Sequence, residues 1–261
     1  IRRPPRSTQS RSSAASDVYK RQVGNILYEV ITFMRSVSRN NYVPLRHEAD
    51  YCMDLARKIG VVTDNIKLEI FLTEEEKKEA IEFLKNAGVS QTDKKIFIHS
   101  GSLGSAPNWS ESKYFSITKK LLELLPDTSY KFVFTAREMS SDFIADLRKL
   151  NEKRIIIISD EVSDLREMIK VISQADVFLA PSTGPLHLAD ALGIKCVGIF
   201  CRRKVSSAKH HGVLNDKSIN LEVSEENCKQ FCSADQNTCG IEKGLSEEEV
   251  INTIIQLLNT K

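Results

Sequence analysis

Apolar residues along the chain follow two organisations, and the change from one to the other falls near residue 94. Before it the spacing is helical. Residues 26–38 and 47–59 each carry an apolar stripe, the second through Ala49, Cys52, Met53, Leu55, Ala56 and Ile59 before a stop at Gly60. Lys67 to Ile70 reads as a short strand. Thr73, with Glu76 three residues on, forms a capping box for a helix running to about Ala87 and ended by Gly88.

From residue 94 short apolar runs alternate with helical patterns. Strands are predicted over 95–99, 130–135, 154–159, 176–180 and 195–200, and helices over 110–125, 140–150, 163–173 and 185–192. A last helix, 246–258, starts at Ser246 with Glu247, Glu248 and Glu249 in its first turn, where carboxylates suit the helix dipole. This order predicts an α/β domain: a parallel, doubly wound sheet with helices on both faces. Ile155 to Ile158, apolar throughout, reads as a central strand. Such sheets bind ligands beyond the carboxyl ends of their strands, which directs attention to the loops after His99, Thr135, Ser159 and Ala180. There is no internal repeat. Residues 23–90 hold too few strands for a domain of their own and read as the end of a domain whose first part is missing; residues 91–261 form the second domain.

Composition changes the picture at the amino terminus. The first 22 residues hold six basic residues and one acid, a charge of +5, so the rest of the chain carries −3 of the whole-chain +2. That tail has no period and few apolar residues, as a disordered basic extension would. A nucleic-acid arm or an anionic-lipid contact is a second reading. The reading favoured here is a non-native tail resembling translated adapter or vector sequence, excluded from the fold and implying no nucleic-acid partner. The whole chain is 41% hydrophobic and 28% charged, ordinary for a globular protein. No apolar run reaches the roughly 20 residues of a membrane span. No signal peptide is legible, and a cytoplasmic protein is expected. Six cysteines in 261 residues do not make a disulfide scaffold, and Cys52 and Cys196 read as buried thiols. Cys228, Cys232 and Cys239 are too unevenly spaced for a good structural zinc site even with His210 or His211 as a fourth ligand; free thiols or one labile disulfide are favoured, and no metal is expected.

The segment with the clearest chemistry is Ala180-Pro181-Ser182-Thr183-Gly184-Pro185-Leu186-His187-Leu188. A strand runs into small and hydroxylated residues, and Pro185 then marks a helix start. Free N–H groups, the Ser182 and Thr183 hydroxyls and the helix dipole together suit an anion. Gly184 allows close backbone approach, and His187 can donate to a phosphate oxygen. The competing explanation, a well-capped core helix with a locally satisfied histidine, is outweighed by the position at the carboxyl end of a strand. No Gly-x-Gly-x-x-Gly follows a strand and there is no P-loop, so a dinucleotide oxidoreductase is disfavoured.

Ser182 to Ala189, followed by Ala191-Leu192-Gly193 and a strand ending Gly198-Ile199-Phe200, resembles the signature of glycosyltransferase family 9, the ADP-heptose:lipopolysaccharide heptosyltransferases. His99 to Ser102 with Asn108-Trp109, Thr135 to Glu138, and Lys204 to Gly212 extend the resemblance over roughly residues 45–258. It implies a GT-B fold of two facing Rossmann-like domains, here the carboxyl-terminal donor domain with a remnant of the amino-terminal acceptor domain. It implies that Ser182, Thr183, Gly184 and His187 hold the donor diphosphate and adjoining sugar, that Glu138 accepts from donor hydroxyls, that Ser102 contacts phosphate, and that Val162 lines the base pocket. The implied reaction is inverting transfer from a nucleotide-diphosphate sugar, ADP-heptose in this family, to a lipopolysaccharide core acceptor at the cytoplasmic face of the inner membrane, without a cofactor. Two departures stand out. Pro107 occupies the place of a lysine that neutralises the diphosphate in much of the family, leaving Lys113 or the Arg202-Arg203-Lys204 run to compensate. Ser182 stands where many relatives have aspartate. The family's general base lies early in the amino-terminal domain, in a region that residues 23–90 do not match, so no catalytic residue is nominated here. The alternative reading is a chain that binds nucleotide sugar and turns nothing over.

Overall fold

The computed structural model describes residues 42–63, 65–158, 162, 164–232 and 240–260. The basic tail, the 26–38 helix, Ser159, Ser163 and Cys239 lie outside the described residues. Contacts divide the chain into two compact units, Ile1–Pro44 with Ala49–Asp64, and Leu45–Glu48 with Asn65–Lys261. In the smaller unit Tyr51 is buried and its hydroxyl donates to Pro44 O, while Arg57 pairs with Asp50 and Asp54. The helix α1, Glu48–Arg57, exposes Cys52 and Leu55, and Ile59 beyond its end is also exposed. Cys52 is therefore not the buried thiol that its helical position suggested, because helical period locates a stripe without saying what covers it.

The larger unit contains a six-stranded, all-parallel sheet. Its strands are β1 (Lys94–Ile98), β2 (Tyr130–Phe134), β3 (Ile155–Ile157), β4 (Val177–Pro181), β5 (Lys195–Phe200) and β6 (Ile219–Glu222), in spatial order β3-β2-β1-β4-β5-β6. The intervening helices are α2 (Glu74–Asn86), α3 (Glu111–Leu124), α4 (Ser141–Lys149), α5 (Leu165–Ile172), α6 (Gly184–Ala191), the short α7 (Ala208–His211), α8 (Glu225–Phe231) and α9 (Ile241–Gly244), and α10 (Glu247–Asn259). Successive strand residues serve opposite faces. Ile96, Ile98, Phe132, Phe134, Leu179 and Ile199 join one core with α3, α4 and α10; Phe97, Val133, Phe178, Ala180 and Phe200 join the other with α2, α5 and α6. The doubly wound α/β architecture is as the alternation predicts.

Four details differ from the sequence expectation. β3 is an edge strand and only half-buried: its apolar run arises because Ile155 and Ile157 face one core and Ile156 the other, so it reports coverage on two faces rather than a central place. β6 pairs in parallel with β5 although its sequence, Ile-Asn-Leu-Glu, is too short and polar to announce a strand. Lys67 to Ile70 forms no strand and is held by one bond, Ile70 N–H to Ala191 O at 2.9 Å. α5 starts at Leu165, capped by Asp164 accepting from Glu167 N–H, two residues later than the 163–173 pattern predicts. The capping box at Thr73 and Glu76 is present. Glu76 also receives two bonds from the Arg166 guanidinium, at 2.6 and 2.8 Å, which tie α2 to α5. Contacts thus place α2 with the sheet, whereas the sequence pattern draws the division at residue 90.

Candidate functional site

Strand order reverses between β1 and β4, and ligands bind in the crevice at such a point. Ile98 pairs with Leu179, and His99 N–H continues the ladder to Leu179 O at 2.9 Å. The loops leaving β1, β2 and β4 therefore meet at one end of the sheet.

From β4 the chain turns through Ser182 and Thr183 into α6. Thr183 is the N-cap, Gly184 the first helical residue and Pro185 the second, one place later than the sequence suggests. The buried Thr183 hydroxyl donates back to Pro181 O at 3.2 Å, leaving no side-chain cap on the helix. Pro185 has no N–H, and those of Leu186 and His187 go to Thr183 O at 3.1 and 3.4 Å. The donors left for an anion are those of the Ser182 to Gly184 turn. Gly184 is exposed, and among the described residues a Cβ added there would meet nothing within 4 Å beyond its chain neighbours and its own helix.

The β1 loop is shaped by its own hydrogen bonds. Ser102 O accepts from Ser105 N–H and Oγ at 2.8 and 2.6 Å, closing a turn in which Leu103 and Gly104 have φ of 46° and 73°. Ser102 is half-buried at its base, and Leu103 projects into solvent. Asn108 fastens the loop's return: its Nδ2 donates to Ser100 O, and its Oδ1 accepts from Trp109 N–H and the Tyr114 hydroxyl. Sequence reasoning gave Asn108 no structural role, because Ser100 and Tyr114 come within its reach only when the loop closes.

Glu138, exposed after β2, reaches over the β1 loop. A Cβ at Gly101 would lie 1.9 Å from Glu138 Oε1, so the carboxylate sits where any larger residue would be. Gly101→Ala is therefore expected to displace the flexible Glu138 side chain at little cost in stability. If Glu138 accepts from donor hydroxyls, donor affinity falls severalfold while the melting temperature holds; parallel titration and thermal melts check both. Val162 is 5% exposed and lies in the core shared by α5 and α6.

Two histidine environments flank the turn. His99 is buried beside β4: its Nδ1 lies 3.0 Å from Thr135 Oγ1 and its ring stacks on Phe178. Burial lowers its pKa to about 4, against a smaller opposing pull from Glu138. His187, half-buried on α6, lies 6.1 Å from the His211 ring on α7, which in turn is 4.3 Å from His210. Burial lowers His187 and takes His211 to about 4, with the neighbouring imidazoles pushing His211 the same way. The His187 and His211 rings are therefore held neutral near pH 7 and can each donate one hydrogen bond. His210 Nδ1 lies 2.9 Å from Arg46 O.

Of the cations proposed to compensate for Pro107, Lys113 is committed elsewhere. Its ammonium donates to Glu242 O and Leu245 O and sits 4.3 Å from the Trp109 ring centroid, at a concavity of about 670 Å³ lined by α3 and α10. Arg202 lies 3.7 Å from Glu222 and 3.8 Å from Glu225. Among the described residues no three His, Cys, Asp or Glu side chains converge as metal ligands. The Cys228 and Cys232 sulfurs lie 3.4 Å apart, and Cys196 is buried, which pushes its thiol up to about 12.

Comparison with known proteins bears on this geometry. The sequence profile of Glycosyltransferase family 9 (heptosyltransferase) matches residues 32–240. The chain belongs to glycosyltransferase family 9. A Haemophilus influenzae protein named as an inferred glycosyltransferase is 31% identical over 177 residues, 66% of this chain and 50% of that protein. Among solved structures, the glycosyl transferase family 9 protein of Veillonella parvula superposes with a TM-score of 0.67 at 22% identity, covering 86% of this chain and 62% of that one. The E. coli ADP-heptose LPS heptosyltransferase II superposes at 0.66 and 15% identity, covering 90% and 68%. The chain thus spans about half to two thirds of the length of these proteins. At these identities the superpositions show a shared α/β fold of the GT-B type.

Proposed function

We propose that this chain binds a nucleotide-diphosphate sugar at the β4–α6 turn and takes part in transfer of that sugar to a glycan acceptor. The observation that carries this reading is the helix start at the β1–β4 reversal, with its free turn donors and the exposed Gly184, in a family 9 chain. Ser182 and Gly184 would face the diphosphate and His187 the sugar side. Thr183 would contribute its backbone, since its hydroxyl is turned inward. Glu138 and Ser102 would close over the donor from the β2 and β1 loops. In an inverting transfer these groups stabilise the departing diphosphate, while an acidic residue outside the set deprotonates the acceptor. The proposed donor is ADP-heptose and the proposed acceptor a lipopolysaccharide core sugar. This is supported by the family description and by the name of the E. coli heptosyltransferase of the same fold. Acting on such an acceptor would bring the chain to a membrane surface; none of its described helices is long and apolar enough to cross one. No metal or other cofactor is assigned a part.

The test is calorimetric titration of the full chain with ADP and ADP-heptose, alongside Gly184→Val. Binding is expected, with a loss on the order of tenfold or more in the variant and an unchanged melting temperature, because the added side chain fills ligand space rather than protein space. No binding at millimolar ligand would refute the reading. Binding without transfer to a heptose-deficient core acceptor would leave the chain a donor-binding protein only.

A further inference from the structure

Among the described residues, two buried side-chain polar atoms have no hydrogen-bond partner: Ser100 Oγ and Arg203 Nη2. Buried polar groups are nearly always paired, and an orphan one points to a missing partner. Both lie beyond the carboxyl ends of strands of the parallel sheet. Ser100 lies two residues past β1 and Arg203 three residues past β5, and β4 runs between those strands. The Ser182 to Gly184 turn is thus flanked by the two. The segment following Arg203 packs back on α6, as the 6.1 Å approach of His211 to His187 shows. Arg202 and Lys113, the other cations considered for this site, are occupied as described. No carboxylate among the described residues forms an ion pair with Arg203.

We propose that Arg203 is the cation of this anion site, its guanidinium binding the diphosphate of a nucleotide sugar with the Ser100 hydroxyl donating from the opposite side of β4. The proposal rests on the nucleotide-sugar reading of the β4–α6 turn. A diphosphate carries at least two negative charges. The turn supplies only partial positive charge, and burial holds the His99, His187 and His211 imidazoles neutral at pH 7. A planar guanidinium presents a fork of donors that matches phosphate oxygens. Nη2 itself is shut off from water, but Arg203 is only half-buried as a residue, and binding would require rotation about its long side chain to bring the fork to the crevice. Pairing there relieves the orphaned donor in the same step.

The experiment is titration of the full-length chain with ADP, UDP, GDP and inorganic pyrophosphate, and with adenosine as the phosphate-free probe. The variants are Arg203→Gln, Arg203→Lys, Ser100→Ala and the surface control Arg202→Gln, each with its melting temperature. Arg203→Gln is expected to weaken diphosphate binding on the order of tenfold to a hundredfold and to leave adenosine binding unchanged. Arg203→Lys should recover part of the loss, Ser100→Ala should lose severalfold, and Arg202→Gln should match the unaltered chain. A folded Arg203→Gln with full diphosphate affinity overturns the proposal and leaves the nucleotide-sugar reading standing. Equal losses for ADP and adenosine overturn it too, as general damage to the site. Should Arg203→Gln not fold, the Arg203→Lys and Ser100→Ala pair decides: both unchanged overturns the proposal. If the unaltered chain binds none of the four anions, the nucleotide-sugar reading falls and the proposal with it.

Discussion

Replacing Asp190 by alanine is expected to cost about 4 kcal/mol of stability, the largest effect of any single substitution considered. Asp190 sits on α6 at 3% exposure, and its carboxylate accepts from Leu214 N–H at 2.8 Å, Asn215 N–H at 2.9 Å and Asn215 Nδ2 at 2.8 Å. Truncation strands three donors at once. Bonds to a charged acceptor are worth roughly 1.5–3 kcal/mol each, but Leu214 is partly exposed and its N–H regains water on local opening, so the sum is not reached. Asp190→Asn keeps one carbonyl acceptor and is expected to lose about half as much. The consequence reaches the candidate site, because α6 is the helix whose first turn faces the anion. Urea denaturation of the three proteins checks the order; a loss below about 1 kcal/mol for the alanine variant would show that the 213–215 segment does not depend on this carboxylate.

Acidification is expected to remove about 3 kcal/mol through His99 alone, most of it between pH 6.5 and pH 4. Its pKa is about 4 in the folded protein, lowered by burial, against 6.5 in the unfolded chain. In that window the unfolded chain binds the proton and the folded one does not, so the contribution is fully present above pH 6.5 and is lost as pH falls through 4. His211, with a folded pKa also near 4, acts in the same direction but is only half-buried, and solvent reduces its share. His99→Gln isolates the larger part: its stability curve should be flatter than that of the unaltered chain between pH 7 and pH 4. Parallel curves would mean that His99 takes up its proton without opening the β1–β4 edge.

The contrast between His99 and His187 shows what was legible in the residues. His187 stands out in the sequence because a proline-marked helix start follows a strand, and local patterns of that kind are written within a few residues. His99 ends a predicted strand and drew attention only as a loop boundary and as the first residue of a stretch that extends the family resemblance. What makes it matter is Phe178 on one side and Thr135 on another, partners distant in sequence that parallel pairing brings together. Glu138 and Gly101 repeat the lesson. Each is readable as a loop residue, but that one fills the space above the other follows only from the adjacency of β1 and β2.

The sequence by itself determined the alternation of strands and helices, the α/β class, the capping of α2 and α10, the family resemblance and the turn at Ser182 to Gly184. All of these are set by period, by cap chemistry or by a contiguous motif. Tertiary structure decided that β3 is an edge strand and that β6 exists. It decided too that the Thr183 hydroxyl turns inward and that Lys113 is spent on main-chain carbonyls while Arg203 is not. The physical reason is common to them. A hydrogen bond or an ion pair belongs to two groups, and one-dimensional pattern names the group without naming its partner.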